Sequence, residues 1–233
     1  MFCCWMVTLI GAATARHIVL YRDRDMVDRN YALFWMFAAG LWFTSGLRLV
    51  FFQLGFPAID RALFYVVQVF VVLHIVPAAA FMILKLTPSK AAFAAVVSGV
   101  SVLSLLFLAF VFIDGVGEAE VSKWTSEYRI GARAAMFFLP AFVVVFAGNA
   151  IDLARRAARR VLRQPSDIET DFGTLALLIY MAGGYVDVLG KTWDWQLLLI
   201  RAIYLVAALV GFTAYSWDAD PERLGDAVER SDW

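Results

Sequence analysis

Few side chains in this sequence are able to do chemistry, and the most telling ones sit where they are costly to keep. Arg48, His74, Asp187 and Arg201 fall inside long apolar stretches, with Tyr65, Gln68 and Tyr204 among the same stretches. A charge at the centre of a membrane helix costs commonly about 2.5–3.5 kcal/mol on insertion scales, so each such group calls for a partner or a purpose. If these faces turn inward, Arg48 and Arg201 pair with Asp187 and line a polar pocket with Tyr65, Gln68 and Tyr204, and His74 is the deepest group. The competing arrangement has both arginines snorkelling to lipid headgroups and His74 hydrogen-bonded to a neighbouring helix.

The patterns that mark catalysis or metal binding do not assemble from these residues. His17 and His74 are the 2 histidines. A bis-histidine haem would need both at one depth, whereas His17 is expected within a turn of one surface and His74 roughly 15 Å from it by helical rise. Cys3 and Cys4 are sequence neighbours, so they offer neither a disulfide framework nor metal-ligand spacing. Zinc would need three or four clustered ligands. No serine-protease or His-Glu-x-x-His pattern occurs, and the last apolar stretch has no lysine for retinal. The expectation is a protein without catalytic residues, metal or cofactor. A net charge of +0 gives no reason to expect a nucleic-acid partner.

The elements that must position these groups are plain. The 233 residues are 62% hydrophobic with a mean hydropathy of +0.74, a composition that would leave a soluble domain apolar over most of its surface. Seven stretches are long enough to span a bilayer: Met1–Leu20, Tyr31–Phe52, Ala62–Leu84, Ala91–Ile113, Ala134–Ile151, Phe172–Gly190 and Gln196–Tyr215. Each needs roughly 20 apolar residues to cover about 30 Å of hydrocarbon, and none alternates with the period of a barrel strand. The fold class is therefore all-α, a polytopic seven-helix bundle over residues 1–217 with a short charged tail at 218–233. Pro77 and Pro140 fall inside the third and fifth stretches and should bend them. The loop at 114–133 has room for a short surface helix. The first stretch reads as a retained helix, since no basic segment precedes it.

Arginine placement gives an orientation. Arg22, Arg24 and Arg29 beside Arg16 at the end of the first stretch, then Lys85 and Lys90, then Arg155, Arg156, Arg159, Arg160 and Arg163 fall at connections of one parity. The positive-inside bias then puts the N-terminus outside and the C-terminus in the cytoplasm. The run Arg155, Arg156, Arg159, Arg160 and Arg163 is read as an anchor for anionic lipid headgroups. In the fourth stretch, Ser98, Gly99 and Ser101 continue a small-residue face from Ala91–Ala95 that lets another helix approach closely. Two blocks also look alike. Ala39-Gly40, Arg48 and Arg61-Ala62-Leu63-Phe64-Tyr65 parallel Ala182-Gly183, Lys191 and Arg201-Ala202-Ile203-Tyr204. This suggests two parallel three-helix units joined by the fourth helix, a 3+1+3 plan known from transporters.

In layout the chain resembles the seven-helix membrane-sensor modules at the N-terminus of some bacterial histidine kinases. The likeness rests on seven helices with short loops, the N-out and C-in orientation, Trp35 and Trp42 in the second helix, and Arg61 and Tyr65 opening the third. It implies a sensor in a plasma (bacterial inner) membrane. The functional expectation is a non-enzymatic sensor or accessory subunit, bound to membrane lipids and to other membrane proteins or a second copy of itself; the alternative is a small-solute carrier of the 3+1+3 kind. A reporter fused after Trp233 should score as cytoplasmic and one inserted in 114–133 as external; both on one side would refute the helix count.

Overall fold

A computed structural model describes the backbone of residues 1–21, 25–121, 126–161, 168–189 and 194–216, and within these the side chains of 1–21, 25–121, 126–159, 171–186 and 196–215. The described residues form α1 (Phe2–Tyr21), α2 (Met26–Gln53), α3 (Pro57–Leu86), α4 (Lys90–Asp114), β1 (Val116–Val121), β2 (Ser126–Ile130), α5 (Ala132–Val161), α6 (Ile168–Leu189) and α7 (Asp194–Ser216). α1, α2, α3, α4, α5 and α7 carry windows long and apolar enough to cross a membrane, while the described part of α6 contributes a shorter apolar run, Asp171–Val186. The tail at 218–233 lies outside the described residues.

Local signals set where the helices begin. The Asp25 carboxylate accepts the backbone N–H groups of Val27 and Asp28, each at 2.8 Å, and so caps α2. Pro57 opens α3, where its missing N–H costs nothing. Ser89 caps α4 by accepting the Ala92 N–H at 3.2 Å. Pro77 and Pro140 lie inside α3 and α5, as the sequence predicts.

The helices outrun their apolar stretches. α5 continues to Val161, so Arg155, Arg156 and Arg159 ride on helix and not in a connecting loop. The loop with room for a short surface helix forms an antiparallel hairpin, with Val116 opposite Ile130 and Ala119 opposite Tyr128. Its cause is legible afterwards: Ser126, Tyr128 and Ile130 alternate with Glu127 and Arg129, a period of two that no helix accommodates. Gly115, at φ 70°, turns the chain out of α4 into β1.

Each helix packs on its neighbour in sequence, and α7 closes the ring against α1. α3 also touches α5 directly, which leaves α4 outside the ring in the groove between them. The burial follows: 67% of the α3 span is buried but 22% of the α4 span, along the stripe Val100, Ser104, Phe107 and Val111. Outward-facing residues such as Leu9, Met36, Phe43, Val66, Leu105, Val143, Leu198 and Val206 are apolar, the pattern of a bundle that meets hydrocarbon. Its centre is aromatic. Tyr31 stacks on Tyr215 at 4.8 Å, Trp42 leans on Tyr204 at 4.5 Å, and Tyr180 meets Tyr204 edge-on at 4.9 Å.

Two glycines test this packing in opposite senses. A Cβ on Gly211 would lie 2.5 Å from the Trp35 ring and 2.9 Å from the Tyr31 hydroxyl, both hemmed in by neighbouring rings, whereas one on Gly99 would meet nothing within 4 Å. Gly211→Ala should therefore destabilise by about 1–3 kcal/mol through overpacking. Gly99→Ala should be neutral or stabilise by up to about 1 kcal/mol through helix propensity. Thermal unfolding in detergent compares the two directly; equal shifts would refute the close approach of α7 to α2.

Candidate functional site

Polar chemistry in the bundle is concentrated in two buried ionic knots, one near each end. The first joins α2, α3 and the hairpin. Arg48 Nε meets Asp60 Oδ1 at 3.0 Å, and Asp60 is 1% exposed. Arg48 Nη2 also donates to the Ser126 carbonyl oxygen at 2.9 Å. Asp60 Oδ2 accepts from the hydroxyls of Ser126 and Tyr128, the latter at 3.0 Å. The Arg48 guanidinium lies over the rings of Phe64 and Tyr128, 4.9 and 5.4 Å from their centroids. Burial, then the hydrogen bond to Asp60 and its negative charge, raises the Tyr128 phenol above its ordinary pKa. This knot clamps the hairpin over the ends of α2 and α3.

The second knot joins α3, α5 and α6 at the opposite end. Asp152 is its centre, with Lys85 Nζ 2.8 Å from Oδ2 and Arg156 Nε 3.0 Å from Oδ1. Thr174 donates to Asp152 Oδ2 at 3.3 Å, and Lys85 Nζ also contacts the Thr174 hydroxyl. Arg156 Nη1 reaches Asp171 at 3.5 Å. The Lys85 and Asp152 side chains are 3% and 6% exposed, so neither charge is left to water. Lys85 further lies over the Phe81 ring at 4.3 Å. A cavity of about 60 Å³ opens beside this knot, lined by Lys85, Leu86, Asp152, Arg155, Arg156 and Arg159. A second, of about 150 Å³, lies on its other side among Leu153, Ala157, Asp171, Phe172 and Leu175.

The residues singled out in the sequence are dispersed among these features. Arg48 has Asp60 as a carboxylate partner at 3.0 Å, a residue outside the set singled out in the sequence. Arg201 lies over the Trp42 ring at 4.8 Å and 3.8 Å from the Cys4 sulfur. The side chains of Asp187 and Arg160, and all of Arg163, lie outside the described residues. Tyr65 accepts the Val116 N–H at 3.3 Å and stacks on Phe112, so it belongs to the hairpin's base. Gln68 is buried in α3. His74 is buried between Phe34 and Tyr180, with Nδ1 2.9 Å from the Phe70 carbonyl oxygen. That bond lies within α3 itself, one turn back, and not across to a neighbouring helix. Tyr204 is part of the aromatic centre. Ser98 and Gly99 are exposed, and Ser101 bonds back to the Val97 carbonyl at 2.7 Å.

Asp60 and Asp152 are the buried ion-pairing residues the sequence reading passed over. Each sits near a predicted helix end, where a carboxylate looks like loop sequence. The available signal was i,i+4 spacing: Asp152 and Arg156 share one face of a helix that runs on past its apolar stretch. Among the described residues no group of His, Cys, Asp or Glu is arranged to hold a metal ion. Comparison with protein-family models, with curated proteins and with solved structures finds no match for this chain. The class the geometry defines is a helical bundle, compatible with a membrane location, pinned by two buried ionic knots.

Removing one partner of a buried ion pair strands the other. Asp152→Asn should therefore destabilise by about 3–5 kcal/mol. Lys85→Met with Asp152→Leu should cost clearly less than the sum of the two single changes, because neither member of the pair is left behind and Arg156 keeps Asp171. A double-mutant cycle on thermal unfolding in detergent reads the coupling; additive effects would show that the pair contributes nothing as a pair.

Proposed function

We propose that this chain is a non-enzymatic integral membrane protein, N-terminus outside and C-terminus cytoplasmic, that works as a sensor or accessory subunit by packing against other membrane proteins or a second copy of itself. The observation that carries this reading is the contrast between a filled centre and an uncovered α4. Between α2, α3, α6 and α7 the space is taken by Phe34, Trp35, Trp42, His74, Tyr180 and Tyr204. A carrier needs room for a solute between its halves. α4, by contrast, leaves Ser98, Gly99, Val102 and Leu105 facing outward. Without a hydrophobic force between helices in lipid, small residues that allow close backbone approach are what make such a face adhesive.

The carrier remains the second reading because of where α4 lies. With α4 outside the ring, α1–α3 and α5–α7 each pack as consecutive helices, an arrangement compatible with a 3+1+3 plan. Mass determination of the protein released gently from native lipid distinguishes the two. The subunit reading expects a dimer or a complex with another protein, lost on Gly99→Leu while the thermal unfolding of the chain is unchanged. A lone chain, wild type and variant alike, would refute it.

A further inference from the structure

We infer that the 60 Å³ cavity between α3 and α5 is a binding site for one phosphate oxyanion, carried by a lipid headgroup or free in solution. Its lining sets the cations Lys85, Arg155, Arg156 and Arg159 against the single carboxylate Asp152. That carboxylate is already consumed, by Lys85 at 2.8 Å and Arg156 at 3.0 Å. Asp171 meets Arg156 from the α6 side, away from the lining. Arg155 and Arg159 have no ion-pair partner among the described residues, and both are exposed at the mouth. One turn apart on α5, they face the same way, so their guanidinium groups converge on one volume.

The chemistry selects a charged tetrahedral oxyanion. Guanidinium forks match phosphate oxygens in pairs, which a lysine cannot do. The cavity exceeds the roughly 10–15 Å³ one water needs, and its walls are held by the Lys85–Asp152–Thr174 bonds before any ligand arrives. α3 and α5 both end here, and helix C-termini carry about half a negative charge each. Two full arginine charges outweigh that, and the ends help to keep the cations in place. The site differs from a diffuse basic surface in having a fixed place and a stoichiometry of one. It stands independently of whether the bundle is a subunit or a carrier.

The test uses the full chain in detergent. Native mass spectrometry follows retention of phosphatidic acid, with phosphatidylcholine as the zwitterionic control, and calorimetry follows inorganic phosphate. One phosphatidic acid should be retained per chain. Arg155→Gln with Arg159→Gln should cut its occupancy at least tenfold. Arg16→Gln with Arg29→Gln removes equal charge away from the cavity lining and should leave occupancy within twofold. Both arginine pairs are exposed, so neither double variant should unfold the protein; thermal unfolding checks this. Lipid retention that inorganic phosphate does not displace assigns the site to a headgroup, and displacement assigns it to the free oxyanion. Equal losses in the two double variants, or retention of neither probe, would overturn the site.

Discussion

A buried charge with no counter-charge is the one thing an apolar bundle cannot tolerate, and the packing of α3, α5 and α6 follows from how Lys85 and Asp152 avoid it. Leaving either alone in a low-dielectric surround would cost several kcal/mol, far more than any single van der Waals contact returns. Lys85 comes from the end of α3, Asp152 from α5 and Thr174 from α6, so satisfying the one carboxylate fixes the rotation and depth of three helices together. Arg156, one turn beyond Asp152, extends the same network to Asp171. Apolar contact alone would allow the helices to slide, because one apolar face fits another in many registers.

The opposite end solves the same problem with different material. Asp60 lies in the first turn of α3 and Arg48 near the end of α2, and the connection between them is too short to bring in further groups. The remaining lone pairs of Asp60 are met by Ser126 and Tyr128 from the hairpin. A segment that looks like an ordinary loop is thereby held down over the bundle. Ser126 and Tyr128 fall on the same face of β2, two residues apart, which only a strand provides.

Between the knots, aromatic packing replaces polar chemistry. Trp42 donates its indole N–H to the Tyr180 hydroxyl at 3.0 Å, and His74 is satisfied by its own helix through the Phe70 carbonyl. Large rings fill space with few rotatable bonds, so a centre made of them is rigid and leaves little free volume. The bundle is thus aromatic in its middle and ionic near its two ends, which is why the cavities beside Asp152 carry more functional interest than the centre.

Length and apolarity were readable without coordinates, because each is a property of one helix taken separately. The helices, the prolines inside α3 and α5, and the small exposed face of α4 all belong to this local category. Helix ends were less readable: the apolar run stops near Ile151, but hydrogen bonding carries α5 on to Val161. The hairpin had its alternating pattern, overlooked in a segment taken for a loop. Partners were not readable at all. Arg48 could have met any carboxylate at its depth, and that it meets Asp60, while Lys85 meets Asp152 67 positions away in sequence, is decided by which helices stand side by side and how each is rotated. Sequence fixes which charges must be paired, since the cost of leaving one bare is a property of the residue; only the tertiary structure decides with whom, since pairing depends on distances between helices that no single helix contains.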